Sequence, residues 1–488
     1  MVGTGASRST ALVARRPGLL VVGLSLVVLT VAVLQTAVVP VLGVIGEQLG
    51  ASTVAVSWAV TANLLAAIAA TPLLGRLADL YSKKRILISV LLVVLAGSVL
   101  AAVTSSLPLL IVARMLQGAS FALYPIGVAV LREELPAERL AGAMSVMSGT
   151  LGFGGGVGLV VTGLLMSGDA GYHRVFVLTT AFTVVVLAIV VLLVPSRGRA
   201  ATGTVDWLGA VGLTAGLSSV LLAITQGNVW GWTSVWTAAC AVGGVAVLVG
   251  WWLWERRLAQ PLVSTRMLTR RAILLTNLAT VLVGMGLYFA FLGLTQFVQA
   301  SPEVAGYGFG ADVLRASVVF LLPGALTGFV VAMVSGRFID RFGARRVLVI
   351  AAVAGIAGFV MLAVAHGQPW QVIVAGMLAN AYISLGYGAL PALVVAEVDA
   401  GETGVATGMN AIARTVGSST AAALVAVLLG RSAADVGAPP ESSFVLIFAA
   451  GAFTAALAMT LIAMTRSRDG TADDVARREL RAMNHEWG

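Results

Sequence analysis

A chain of 488 residues that is 59% hydrophobic and only 10% charged, with a mean hydropathy of +0.99, lies far above the roughly 45–50% apolar content of ordinary globular domains. This composition excludes a soluble domain and predicts an integral membrane protein. The net charge of +9 does not point to nucleic acid, because its distribution follows the membrane spans.

Apolar runs of about 20 residues recur along the chain, each ended by charges, Pro or polar turn residues. In order they predict spans at 19–43, 54–74, 86–104, 107–130, 141–165, 174–194, 207–226, 234–254, 272–298, 314–334, 346–365, 370–394, 403–429 and 443–465, fourteen in all. Arg15 and Arg16 precede the first, but that run is too long for a signal peptide and no cleavage site follows it. Cys240, the only cysteine, falls within a span and forms no intramolecular disulfide.

With the N-terminus placed inside, 25 of the 30 basic residues fall on the inner side; Arg174, Arg315 and Arg431 fall outside, and Arg114 and Arg414 lie within spans. Both termini are therefore expected in the cytoplasm. Trp230, Trp232 and Trp236 mark the outer ends of spans seven and eight, and Trp251, Trp252 and Trp254 the inner end of span eight.

After span two comes "GRLADLYSKKR" (Gly75 to Arg85), and "GRFIDRFGARR" (Gly336 to Arg346) repeats its pattern 261 residues later. Positive-inside anchoring accounts for Lys83, Lys84 and Arg85. It does not account for Gly75 or Asp79: glycine permits close backbone approach, and a carboxylate at a helix end can pair with a base or with the positive N-terminus of another helix. "IVARMLQG" (Ile111 to Gly118) likewise matches "IVAGMLAN" (Ile373 to Asn380) at an offset of 262. The two repeats predict an all-helical polytopic protein of duplicated halves, with residues 1–200 forming an N-terminal six-helix half, 201–258 a two-helix insert, 259–466 a C-terminal six-helix half and 467–488 a cytoplasmic tail. Parallel repeats with a substrate site between them are an architecture of secondary transporters.

"GRLADLYSKKR" and "RMLQG" (Arg114 to Gly118) resemble the loop and fourth-helix signatures of the major facilitator superfamily. Fourteen spans, "DWLGA" (Asp206 to Ala210) and "GMNAIARTVG" (Gly408 to Gly417) are similar to the fourteen-helix drug/proton antiporters of EmrB/QacA type. The resemblance implies that Asp79, Arg76 and the following Lys84 and Arg85 form a cytoplasmic latch stabilising the outward-facing state. It also implies that Asp340 with Gly336, Arg341, Arg345 and Arg346 is the counterpart, and that Arg114 acts in coupling or substrate binding. Two positions depart from the family: Gln35 in "VLQTAVVP" stands where an acid is common in the first helix, and Leu159 where a proline is expected in the fifth.

A charge at the bilayer centre costs about 2.5–3.5 kcal/mol on insertion scales, so Arg114 and Arg414 signal a protein-lined interior. They are expected either to contact substrate or to bind backbone carbonyls and amides such as Gln35, Asn63, Gln117, Asn380 and Asn410 as cross-links. The acids Asp206, Glu255 and Asp312 sit at span edges, leaving the interior biased positive. One cysteine and three scattered histidines offer no metal site. No GxxxxGK[ST] loop is present to use ATP, and no cofactor is implied. The expected function is export of small amphiphilic compounds across the cell membrane by alternating access, powered by protons, with membrane lipid as the other partner. Export of one endogenous metabolite or lipid is the alternative, and a receptor or lipid-modifying enzyme is the alternative of another class.

Overall fold

The computed structural model describes residues 17–38, 41–51, 53–166, 171–197, 205–258, 261–399, 402–430 and 439–465. The side chains of Leu159 and Asp340 lie outside the described residues, as do Arg431 and the expected tail at 467–488. Among the described residues, fourteen helices are long and apolar enough to cross a membrane. Hydrocarbon offers the backbone no partner, so a run of this length satisfies its N–H and C=O groups as a helix.

In the first half these helices are α1 (Pro17–Thr36), α2 (Thr53–Leu80), α3 (Lys83–Val103), α4 (Leu107–Glu134), α5 (Ala137–Leu165) and α6 (His173–Leu193). The insert supplies α7 (Trp207–Trp230) and α8 (Val235–Glu255). The second half consists of α9 (Arg271–Gln299), α10 (Leu322–Phe342, entered through a π-helical turn at Ala316–Leu321), α11 (Ala344–Val364), α12 (Pro369–Ala396), α13 (Thr403–Gly430) and α14 (Glu441–Met464). The chain is a multi-pass membrane protein.

Two boundaries differ from expectation. The first span stops at Thr36, and a separate short helix, Leu42–Leu49, follows and ends at the left-handed Gly50 (φ 59°). The repeated glycine–arginine–aspartate pattern is not loop: α2 runs on to Leu80 and α10 to Phe342, so Gly75, Arg76 and Asp79, like Gly336, belong to last helical turns. Charge ended the apolar run there while the backbone continued helical.

Each half encloses its own apolar core, around Leu24, Val28, Leu91 and Ile126 in the first and Phe289, Phe297, Phe359 and Phe448 in the second. The halves meet where α5 packs on α10 and α12, and where α13 packs on α2 and α4. Helix α8 packs on α7 and turns Val235, Trp236 and Val242 outward. Helix α7 packs against α2 and α13, one helix of each half.

Candidate functional site: a central cavity above a closed latch

Between the halves lies a cavity of about 310 Å³. Its walls come from α1, α2, α4, α5, α7, α9, α10, α12 and α13, and run from mid-helix positions such as Tyr387 and Arg414 toward the end opposite the basic one. Apolar groups such as Val31, Phe121, Leu287, Phe291 and Leu294 dominate the lining.

Among the described residues, Arg414 is the one charged member of the lining. Its guanidinium lies between two rings, 4.8 Å from the centre of Tyr387 and 5.2 Å from that of Tyr124. Tyr124 belongs to α4 and Tyr387 to α12, so the stack joins the halves, and the Tyr124 hydroxyl donates to the Tyr387 carbonyl at 3.3 Å. Ring faces attract the cation without neutralising it, and the guanidinium keeps its donors for a ligand. Polar groups elsewhere on the wall are Gln35, which hydrogen-bonds the Tyr288 side chain, and Asn380, whose amide donates to the Gly376 carbonyl at 3.0 Å. The insert takes part as well. Thr225 and Asn228 of α7 line the cavity, Asn228 donates to the Ala423 carbonyl of α13 at 3.1 Å, and Gln226 donates to the Thr61 hydroxyl of α2 at 3.3 Å.

Of the two alternatives left open for Arg114, its bonds fit the cross-link. It is 1% exposed and lies within the first half, away from the cavity lining. Its Nε donates to the Ala59 carbonyl (3.1 Å), and its Nη1 donates to the Leu34 carbonyl (3.1 Å) and to Gln117 Oε1 (2.6 Å). Gln117 donates on to Ser98, and Asn63 donates to the Arg114 carbonyl at 2.8 Å. This set ties α1, α2, α3 and α4 together, the cross-linking alternative weighed from the sequence. Asn410 also lies off the lining and donates to Asn277 (2.9 Å) and Thr280 (2.7 Å), joining α13 to α9.

At the basic end the halves are closed against each other. Helix α13 begins at Thr403, so its first amides have no partner within the helix. Asp79 Oδ1 accepts from the Gly404 N–H at 3.0 Å, and Oδ2 from the Val405 N–H at 3.1 Å. The carboxylate thus sits on the positive end of the α13 dipole. Arg132, at the end of α4, adds bonds from the first half to the Val398 carbonyl (2.7 Å) and the Thr403 hydroxyl (2.5 Å).

Apart from Arg76, which lines a pocket together with Glu402 and Val405 of the second half, the other basic residues of the pattern make no bond between the halves among the described residues. Lys84 donates to the Val191 carbonyl of α6 at 2.7 Å, and Arg85 is exposed. Arg341 lies over Phe342, Arg345 donates to the Ala463 carbonyl of α14, and Arg346 is exposed.

A family model for the Major Facilitator Superfamily matches residues 24–206 and 201–422. The chain belongs to the Major Facilitator Superfamily. The relatives and the solved structure it matches are themselves named as transporters or exporters. A Mycobacterium tuberculosis protein named as an uncharacterized MFS-type transporter is 30% identical over 335 residues, 67% of this chain and 46% of its own length, so the chain spans less than half of that relative. The tetracenomycin C resistance and export protein of Streptomyces glaucescens is 28% identical over 443 residues, 86% of this chain and 77% of its own. A uridine/deoxyuridine transporter of Lactococcus lactis is 28% identical over 327 residues, 64% of this chain and 65% of its own. The crystal structure of the human organic anion transporter MFSD10 superposes with a TM-score of 0.62 at 13% identity, covering 91% of this chain and 99% of that one, a likeness of fold.

Proposed function

We propose that the protein exports small amphiphilic compounds from the cytoplasm by alternating access, driven by the proton gradient, and that it favours neutral and anionic over dicationic substrates. The basic end is the cytoplasmic one on this reading, and the conformation is outward-facing: the cavity lies toward the outer side while the Asp79 and Arg132 contacts hold the inner side shut. The observation that carries the substrate class is the cavity itself, largely apolar, at the lower end of the roughly 300–1,000 Å³ usual for drug-sized ligands, with Arg414 as its charged lining group and no lining carboxylate. A dication there meets repulsion with no opposite charge to offset it. The tetracenomycin exporter among the relatives supports the direction and the class.

The test is reconstitution into liposomes with an imposed pH gradient, followed by transport of matched cationic, neutral and anionic amphiphiles. Gradient-dependent movement of the anion and the neutral compound is expected. Selective movement of the dication would overturn the substrate class, and movement indifferent to the pH gradient would overturn the coupling. A second reading, a dedicated metabolite transporter, is favoured by the polar groups Gln35, Asn228, Asn380, Thr415 and Ser418 on the wall, which suit a substrate rich in hydrogen-bonding groups. It predicts saturable transport of one such compound, with little competition from apolar drugs.

A further inference from the structure

At the basic end, away from the central cavity, two carboxyl groups of the insert converge. Asp206 precedes α7 and Glu255 ends α8, and a Cβ added to Gly209 would run into Asp206 Oδ2 and Glu255 Oε1 alike. Two tryptophans of α8 hold the pair from one side: Trp251 Nε1 donates to Glu255 Oε1 at 3.0 Å, and Trp254 Nε1 to Asp206 Oδ2 at 3.2 Å. Glu255 is 1% exposed. The Leu262 and Val263 amides face it, yet its second oxygen, Oε2, closes no hydrogen bond. Among the described residues, neither carboxyl has a basic group within ion-pair distance.

Glu255 also lines a separate polar pocket of about 470 Å³, walled by the end of α2, the start of α13 and the segment leading to α9. The charged groups facing it there are Arg76 of α2, Arg256 just after α8, Arg266 before α9 and Glu402 at the start of α13. Two anions pressed together in a poorly solvated place repel, and one proton between them removes the repulsion while giving an orphaned oxygen a hydrogen to share.

We propose that Asp206 and Glu255 form a proton-binding site, one proton held by the two carboxyls, filled and emptied through this pocket from the basic face. The site lies at one end of the membrane rather than in the central cavity, so it samples the pH of one compartment and does not carry the proton across. Arg76 shares the pocket and its Nε has no partner. Each change in the pair's charge therefore acts on a residue three positions from Asp79, beside the contact that holds the halves closed.

The indoles bonded to the two carboxyls provide a readout independent of transport. Intrinsic fluorescence of the purified full-length protein in nanodiscs is titrated between about pH 5 and pH 9. The parent is expected to give a one-proton transition that disappears in Glu255→Gln and in Asp206→Asn. In Gly209→Ala, where the added methyl pushes apart two flexible side-chain ends, the transition is expected at lower pH by about one unit. No transition in the parent, or one that persists unchanged in either carboxyl variant, overturns the site. Because no substrate or gradient is involved, loss of this transition and loss of pH-driven transport are separate results.

Discussion

Gly75 of α2 and Gly404 of α13 lie so close that a Cβ on Gly75 would stand 2.9 Å from the Gly404 carbonyl oxygen. The glycine of the second copy of the pattern makes a like contact, for a Cβ on Gly336 of α10 would run into the Gly142 backbone of α5. The glycine of each repeated pattern is therefore the place where one half touches the other. Alanine at Gly75 forces a backbone apart rather than a flexible side chain, so Gly75→Ala is expected to open the basic end and Gly336→Ala to do the same from the other side. Labelling of a single cysteine near Val405, in a variant lacking Cys240, should rise several-fold in both; unchanged labelling would remove the glycines from the gating role.

Asp79→Asn keeps the shape but removes the charge facing the two α13 amides. A charged hydrogen bond contributes about 1.5–3 kcal/mol, enough to shift a two-state equilibrium about tenfold or more. Transport should fall while expression and thermal stability persist, and the conformational distribution read by the same cysteine should move toward the inner-open form.

Arg414→Ala is expected to reduce transport of an anionic amphiphile at least severalfold more than that of a neutral one of matched size. Gln35→Asp, which places a carboxylate on the cavity wall, should improve handling of cations. Uptake into inside-out vesicles from the parent and both variants measures each effect in the same assay.

Arg114→Ala should behave as a folding mutation. Removing the guanidinium strips the Leu34 and Ala59 carbonyls and Gln117 of a donor in a buried setting, where each unsatisfied group costs about 1–3 kcal/mol. Loss of expression and a lowered melting temperature are expected; a stable variant with selectively altered substrate preference would restore Arg114 to a direct role.

Topology is open to a simple check. Single cysteines at residues 195–206 and 255–271 should resist an impermeant reagent in intact cells, and those at 299–312 should react. Labelling of the first two segments would reverse the assigned orientation.

The fourteen spans were legible because a membrane helix writes itself as a long apolar run, with only its ends in doubt where charge interrupts the run before the helix does. The pairing of Asp79 with a helix N-terminus was legible too, from a carboxylate repeated where basic anchoring could not explain it. Tyr124 and Tyr387 were missed because an aromatic residue in an apolar span carries no signature of facing a cation, even though the two stand 263 residues apart, one step from the repeat. Arg132 read as one more inner-side charge; its role depends on where α12 and α13 end in space. Arg114 announced itself by its charge and by the "RMLQG" signature, and neither could tell a cavity wall from a satisfied cross-link.

Helix α7 is fastened, at its end opposite the basic face, to both halves, through Gln226 to Thr61 and through Asn228 to Ala423. If the halves rock against each other as proposed, a rotation that keeps one of these hydrogen bonds strains the other. On that proposed cycle the insert is less a spacer than a clutch, its two amide contacts lying far from the contacts at the basic end.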